Sequence, residues 1–465
     1  MAYETGNRYY IDGNKPKDHC AVFGVFDQNS QSVHPATEVY YGLYSLQHRG
    51  LDSSGIIATD GDQFRMHRRG GLVSHVYGKG DIEKLEGFAA IGHNRYGTDG
   101  GEGHMQPVYF EDDLVALGHN GHLQYVRKLY EFVERFHSNP SALNDSELAQ
   151  QALNHHMKRG ASLEDAIAET MPLLNGAYSM VMLTKDKMAG VRDPYGIRPF
   201  TLGKINGGYA LSSETCGLDN ISAIHLGNVN PGEMVVIDHD GIKREQLMAP
   251  NLKSDAYEWF YLSRPDSILE GQNVYSVRER LGMRLAEECP VDADVVIGVP
   301  DSGIPGAMGF AKASGIPYET GFIKNPYVGR TFITPDKRLR SRKVQLKMNP
   351  VIPHVEGKRV VMVDDSRVRN TSAKEIVPML YEAGAKEVHE RFTSPELRYP
   401  SITGVATATY EEHAANKYTR EELMEINGSK SIGHVSIEGF VQSTGLRADQ
   451  LDLSAFNGEY VIKPE

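Results

Sequence analysis

The sequence predicts an α/β chain in two parts: a strand- and turn-rich first half, and a second half built on a parallel sheet. Three observations carry this. The run Lys358-Arg-Val-Val-Met-Val-Asp364 has the nearly continuous β-branched apolar character of a strand buried on both faces. It leads into an acid pair, Asp364 and Asp365, a polar loop to Ser372, a helix-like run from Ile376 to Gly384 and a second strand from Glu387 to Phe392, the order of a βαβ unit. Before about Gly232, by contrast, short apolar segments alternate with turns bounded by Gly, Asn and Asp, and Met248 to Asp255 reads as a linker.

The chain has 465 residues, 40% hydrophobic and 24% charged, so at ~100–200 residues per domain it holds more than one core. A net charge of −12 argues against nucleic acid or an anionic membrane as partner, yet allows a local basic site. Only Cys20, Cys216 and Cys289 occur, at spacings that match no metal framework; this points away from a disulfide-bonded secreted fold and toward the cytoplasm. There is no run of about 18 apolar residues, and Met1 to His19 lacks the apolar region of a signal sequence.

Taken in order, Cys20-Ala-Val-Phe-Gly-Val-Phe26 is a strand with a cysteine at its start; a lone cysteine there also fits a small buried hydrophobe. Leu46-Gln-His-Arg-Gly-Leu-Asp-Ser-Ser-Gly-Ile56 closes a helical run on a turn, Ile91-Gly-His-Asn-Arg-Tyr-Gly-Thr98 ends a strand in Arg95, and Ala116-Leu-Gly-His-Asn-Gly-His-Leu123 ends another in Asn120-Gly121. Asn144-Asp-Ser-Glu147 opens a helix, Gly176 to Met182 is a strand, Arg192 to Pro199 is a turn, and Ser212-Ser-Glu-Thr-Cys216 follows.

Together these segments resemble the class II glutamine amidotransferases, the N-terminal-nucleophile family. The resemblance implies an αββα four-layer sandwich over residues 20–250, with residues 1–19 as a propeptide. It makes Cys20 the nucleophile, with its own α-amine as base once the leader is gone. It nominates the Asn120 side-chain amide and the Gly121 N–H as the oxyanion hole, Arg95 for the carboxylate of glutamine and Asp145 for its ammonium. Cys216 is assigned a structural place.

In the second half, Val277, Leu281 and Leu285 recur on one helix face, and Ala293-Asp-Val-Val-Ile-Gly-Val-Pro-Asp-Ser-Gly303 delivers a tight loop to the same sheet edge as the acid pair. Ser372-Ala-Lys-Glu375 matches a capping box. The strand, acid pair and loop resemble the phosphoribosyl diphosphate (PRPP) site of type I phosphoribosyltransferases, implying a Rossmann-like parallel-sheet domain over residues 251–465 with a C-terminal segment. Asp364 and Asp365 then accept the ribose hydroxyls and help hold Mg²⁺. Asp301, Ser302 and Gly303 take the pyrophosphate, while Ser366, Arg369, Asn370, Thr371 and Ser372 wrap the 5-phosphate. Lys324, Arg330 and Lys347 belong to a basic lid.

Glu258-Trp-Phe-Tyr-Leu-Ser-Arg-Pro-Asp-Ser267 and Gly433-His-Val-Ser-Ile-Glu-Gly-Phe440 extend the likeness to the glutamine-dependent amidophosphoribosyltransferases, from Cys20 to about Val441. That family hydrolyses glutamine and uses the ammonia to displace pyrophosphate from PRPP, giving 5-phosphoribosylamine at the start of purine synthesis. It implies glutamine and PRPP as substrates, purine nucleotides as feedback inhibitors, and a homo-oligomer. With no cysteine beyond Cys289, the iron–sulfur cluster of some members is not expected. A paralogue with another acceptor or one active half, and a PRPP-sensing binding protein, are the alternatives.

Several positions depart from the family pattern: Ala21, Gly97, His122, Arg367 and Asn370. Asn370 stands where Gly is usual, and Asn is the residue that most readily replaces Gly in a left-handed conformation. Arg367, where an apolar residue is common, either adds a charge beside the diphosphate or points to solvent or a carboxylate.

Overall fold

The computed structural model describes residues 20–29, 33–96, 104–325, 348–403 and 409–464. The leader, Gly97 and the lid residues Arg330 and Lys347 lie outside that set.

Two antiparallel sheets face each other in the first half. One has seven strands in the order Ile224–Asn228, Thr201–Ile205, Gly208–Ser212, Ala21–Asp27, Ala89–Arg95, Ser53–Thr59 and Phe64–Gly70. The other has five, Gly241–Gln246, Glu233–Asp238, Met188–Arg192, Asn175–Leu183 and Ala116–Tyr125. The central strand Ala21–Asp27 is buried throughout because both of its faces are covered. Side chains alternate across a strand, so Val22 and Phe26 pack with Ile91, Val181 and Val235 between the sheets. Ala21, Phe23 and Val25 meet Val39 and Leu43 of the helix Pro35–Ser45 outside. On the far side, Leu148 and Leu153 of helix Asp145–Lys158 and Ile167 of helix Leu163–Thr170 cover Leu117, Met180 and Val191. The result is the expected αββα sandwich.

The main sheet of the second half has four strands in the order Val295–Gly298, Arg359–Asp364, Glu387–Phe392 and Ser431–His434, each neighbouring pair parallel. Alternation again explains the layers. Val361 and Val363 pack with Val277, Leu281 and Leu285 of helix Val274–Glu288 and Phe310 of helix Gly303–Ser314. Val360 and Met362 pack with Ile376, Val377 and Leu380 of helix Ala373–Glu382 on the opposite face. Gly384 ends that helix with φ +90°, as its place after the periodic run predicts.

The segment from Met248 to Asp255 runs along the sandwich, where Asn251 N–H donates to Pro194 C=O (2.9 Å) and Lys253 N–H to Tyr195 C=O (2.7 Å). Ser254–Asp255 pairs in parallel with Leu451–Asp452. The C-terminal residues come back to the first half, with Ile462 packed beside Ala177 and Ile197.

Candidate active sites

The antiparallel register brings the first site together. Ala21 pairs with Asn94, so Cys20 lies at the sheet end where Arg95 terminates its strand, beside Ser53. The facing sheet delivers Asn120, which is fully buried and whose Nδ2 donates to Ser213 Oγ (3.2 Å). The same hydroxyl accepts from Val22 N–H (2.9 Å), which ties Asn120 to the Cys20 strand. Gly121 has φ +145°, and a Cβ there would sit 2.0 Å from Ala177 O; no other residue fits without moving the backbone.

Asp145 opens its helix where the sequence predicts one, and the structure closes that start with a capping box formed by Asn144 and Glu147. Its carboxylate accepts from Leu123 N–H (3.1 Å) and stands 3.5 Å from His122 Nδ1. Burial opposes ionisation, but the hydrogen bond from His122, the nearby His119 ring and the Leu123 amide hold this carboxyl well below its usual range. His93, brought down to a pKa of about 3 chiefly by burial, is neutral; its Nε2–H donates to His119 C=O (3.0 Å).

A buried ionic cluster links this site to the second half. Arg49 donates from Nε to the Cys20 carbonyl (3.1 Å) and from its two terminal nitrogens to both oxygens of Glu258 (3.0 and 2.7 Å), with Glu214 Oε1 2.5 Å from Nη1. Arg198 Nη1 adds a contact to Glu258 (3.0 Å). Glu258 begins a π-helical turn, Glu258–Leu262, and is fully buried. Burial works against its charge, yet Arg49 and then Arg198 keep its carboxyl depressed. Arg49, Ser213 and Glu258 occur in segments the sequence singled out, but nothing in the sequence says that they meet.

At the carboxyl end of the parallel sheet, Asp364 and Asp365 emerge as expected. Ser302 Oγ hydrogen-bonds to Asp365 Oδ2, and Ser366 Oγ to its other oxygen (2.6 Å). Burial, then the charge of Asp365, raises Asp364 well above the usual carboxylate range; Asp365 is also raised by burial. Gly303 packs against the same strand, where a Cβ would meet Val363 O at 2.5 Å. Lys324 forms an ion pair with Asp301. The chemistry of two adjacent carboxylates, repelling each other at the end of a strand, suits a hard divalent cation. Among the described residues no group of three or more His, Cys, Asp or Glu could hold a metal; Mg²⁺ at the acid pair would draw on substrate and water oxygens as well.

Two expectations for the loop need correction. Ser372 does not form a capping box: its own backbone is helical (φ −67°, ψ −47°) and its side chain makes no capping bond, because a cap needs extended backbone for its oxygen to reach back. Arg367 is neither solvent-directed nor in an ion pair among the described residues. It is 6% exposed, with its guanidinium carbon 4.4 Å above the Phe392 ring. Asn370 does take the left-handed conformation (φ +62°), and Asn370 and Asn427 exchange side-chain hydrogen bonds of 2.7 and 3.0 Å. Thr371 and Ser372 are exposed at the loop tip, and Arg369 pairs with Glu412 (3.1 Å).

A four-layer sandwich with cysteine at the start of a central strand, joined to a parallel sheet that ends in an acid pair, defines a glutamine amidotransferase fused to a phosphoribosyltransferase. A glutamine amidotransferase domain model matches residues 93–220. The chain is 42% identical over 456 residues to the amidophosphoribosyltransferase of Bacillus subtilis, covering 95% of this chain and 94% of that one. It is 38% identical over 450 residues to that of Methanothermobacter thermautotrophicus, covering 96% and 94%. A solved structure of the glutamine PRPP amidotransferase from B. subtilis, complexed with ADP and GMP, superposes with a TM-score of 0.87 at 40% identity over 96% of this chain and 98% of that one. The chain belongs to the amidophosphoribosyltransferase family, whose members are both glutamine amidotransferases and pentosyltransferases. Among the described residues no helix is long and apolar enough to cross a membrane.

Proposed function

We propose that this chain hydrolyses glutamine at Cys20 and uses the ammonia to displace pyrophosphate from PRPP at the Asp364 end of the parallel sheet, giving glutamate and 5-phosphoribosylamine. The reading requires Cys20 to be the mature N-terminus, so that its α-amine takes the thiol proton. The thiolate attacks the side-chain amide carbon of glutamine, and the Asn120 Nδ2 and Gly121 N–H stabilise the oxyanion that forms. Arg95 grips the substrate carboxylate and Asp145, held ionised by its surroundings, the ammonium. Protonated by the amine, ammonia leaves; water then releases glutamate from the thioester.

In the second half, Asp364 and Asp365 orient the ribose through its hydroxyls. Asp301, Ser302 and Gly303 bind the pyrophosphate, and Ser366 with Arg369 to Ser372 binds the 5-phosphate. Lys324, Arg330 and Lys347 bring cations over the diphosphate. Mg²⁺, held by Asp364 and Asp365 with substrate oxygens, would supply positive charge to the leaving diphosphate. Purine nucleotides as feedback ligands belong to the same reading, supported by the ADP and GMP of the B. subtilis structure, as does self-assembly.

The observation that carries the glutaminase assignment is the convergence of Cys20, Arg95 and Asn120 at one sheet end, with the Ser213 hydroxyl between the two sheets. Cys20→Ala, made in protein whose intact mass begins at residue 20, should lower glutamine-dependent synthesis by about a thousandfold or more and leave ammonia-dependent synthesis largely intact. Glutamine turnover that survives the substitution defeats the assignment.

A further inference from the structure

In the first half of the molecule the Asp145 carboxylate has its acceptor positions, about four for a carboxylate, already taken. Oδ1 accepts from Ser146 N–H (2.7 Å) and from the Ser146 hydroxyl (3.3 Å). Oδ2 accepts from Leu123 N–H (3.1 Å) and faces His122 Nδ1 at 3.5 Å. An incoming ammonium therefore reaches this carboxylate only by displacing one of these partners. Three of them hold their places. Two are backbone amides, fixed by the helix start and by the strand Ala116–Tyr125. The Ser146 hydroxyl gives its only proton to Asp145, while Gln106 Nε2 (3.1 Å) and His119 Nδ1 (2.9 Å) fill its two acceptor positions. His122 makes the longest of the four contacts, from a partly exposed side chain, so its position is the exchangeable one.

What stands in that position matters because histidine changes charge between about pH 5 and 8. An imidazolium there pairs with Asp145 as an ion and repels a second cation; a neutral ring does neither. The other titratable and charged groups around the pair, among the described residues, do not act in this way. His119, 4.0 Å from Asp145, is pushed down by burial and stays neutral. Tyr178, opposite Gly121 on the neighbouring strand, is raised well above its usual range by burial. Arg198 acts on His119 through space and keeps its charge. His104 answers a different carboxylate, Glu147, at 3.1 Å.

We propose that His122 is a specificity-determining residue of the glutamine site: its imidazolium and the α-ammonium of the substrate compete for the one exchangeable position on Asp145. Glutamine then binds to the chain with His122 neutral, and binding to the protonated chain expels the His122 proton to solvent. The position is one of those at which this chain departs from the family pattern, so the pH dependence belongs to this chain's own residue. The inference rests on the reading of Asp145 as the ammonium site given above.

The test is titration calorimetry of the chain beginning at residue 20 and carrying Cys20→Ala, so that bound glutamine is not turned over. Two probes are compared from about pH 7.5 down to about pH 5.5: glutamine, and 4-carbamoylbutanoate, which is glutamine without its amino group. The affinity for glutamine should fall about tenfold across that range, as an ordinary imidazole takes up its proton. At the acid end glutamine should release about one proton more than the deaminated probe, read from the heats in buffers of different ionisation enthalpy. In Cys20→Ala/His122→Asn the affinity should vary by less than about twofold and the two probes should release equal numbers of protons. Ammonia-dependent synthesis reports whether each variant has folded, and the comparison of probes on the chain that keeps His122 needs no substitution there. Equal proton release by the two probes with His122 present, or the same tenfold fall in His122→Asn, overturns this inference alone. If Cys20→Ala/Asp145→Asn binds glutamine as tightly as Cys20→Ala at the alkaline end, or if glutamine does not bind, the ammonium site proposed above fails and this inference fails with it.

Discussion

Around Cys20, buried charges answer one another: Arg49 sits between Glu214 and Glu258, and Arg198 backs Glu258. At the end of the parallel sheet two carboxylates stand side by side, met by hydroxyl groups and a backbone amide, and neither forms an ion pair among the described residues. The first region is organised in advance, while the second keeps a charge imbalance that a cation and a polyhydroxyl substrate would relieve. Glutamine carries only its own two charges, which one arginine and one aspartate can match. PRPP brings many negative charges and needs a cation, so a site fully neutralised beforehand would bind it poorly.

The largest effect should come from breaking the pre-organised cluster. Glu258→Gln leaves Arg49 and Arg198 without a full counter-charge in a buried place, and removing one partner of a buried pair costs about 3–5 kcal/mol. Urea denaturation should show that loss. Glutamine-dependent synthesis should fall with it, since Arg49 also holds the Cys20 carbonyl. If the variant is as stable as the parent chain, the cluster is not what joins the two halves.

A smaller effect, confined to one region, is expected from the acid pair. Asp364→Asn removes one of two repelling carboxylates and should lower kcat/KM for PRPP by about 10–100-fold while leaving basal glutamine hydrolysis alone. The pH response sharpens the point. Burial raises both carboxyls, and the charge of Asp365 raises Asp364 further; they must be ionised to accept ribose hydroxyls and hold Mg²⁺. At limiting Mg²⁺ the apparent KM for PRPP should therefore rise as pH falls toward the raised values, above the ordinary carboxylate range. In Asp364→Asn the more strongly raised carboxyl is gone and only Asp365 titrates, so the rise should move to lower pH. Identical profiles would show that the pair does not titrate as a unit.

The smallest effect belongs to the loop. Asn370→Gly favours the left-handed backbone already present but removes the amide exchange with Asn427, a loss of about 1 kcal/mol. Ammonia-dependent turnover should stay within about threefold of the parent chain, with a modest rise in KM for PRPP. An inactive variant would mean that the Asn370–Asn427 tie, rather than the backbone shape, holds the loop.

Much of this was legible before any fold was known, because it depends on neighbours in the chain. The helix start at Asn144–Glu147, the stripe Val277, Leu281 and Leu285, the strand Glu387–Phe392 and the left-handed Asn370 all follow from local pattern and backbone sterics. The αββα sandwich came from resemblance, since alternation alone does not say which strands become neighbours. Ser372 matched a cap by spacing yet failed to form one, because the chain had already turned helical at that residue.

The rest was decided by tertiary structure. Sheet order brings Ser213 between Asn120 and the Cys20 strand, although 93 residues separate it from Asn120. A π-helical turn carries Glu258 to Arg49 across 209 residues of sequence, and the edge strand Ser431–His434 of the parallel sheet sets His434 against Arg367. Sequence alone determined which chemical groups are available and the local shapes their segments prefer. Which charges are buried together, and therefore which must be paired, is a property of long-range packing: the energy of a buried charge depends on every neighbour the fold supplies, and local pattern does not name those neighbours.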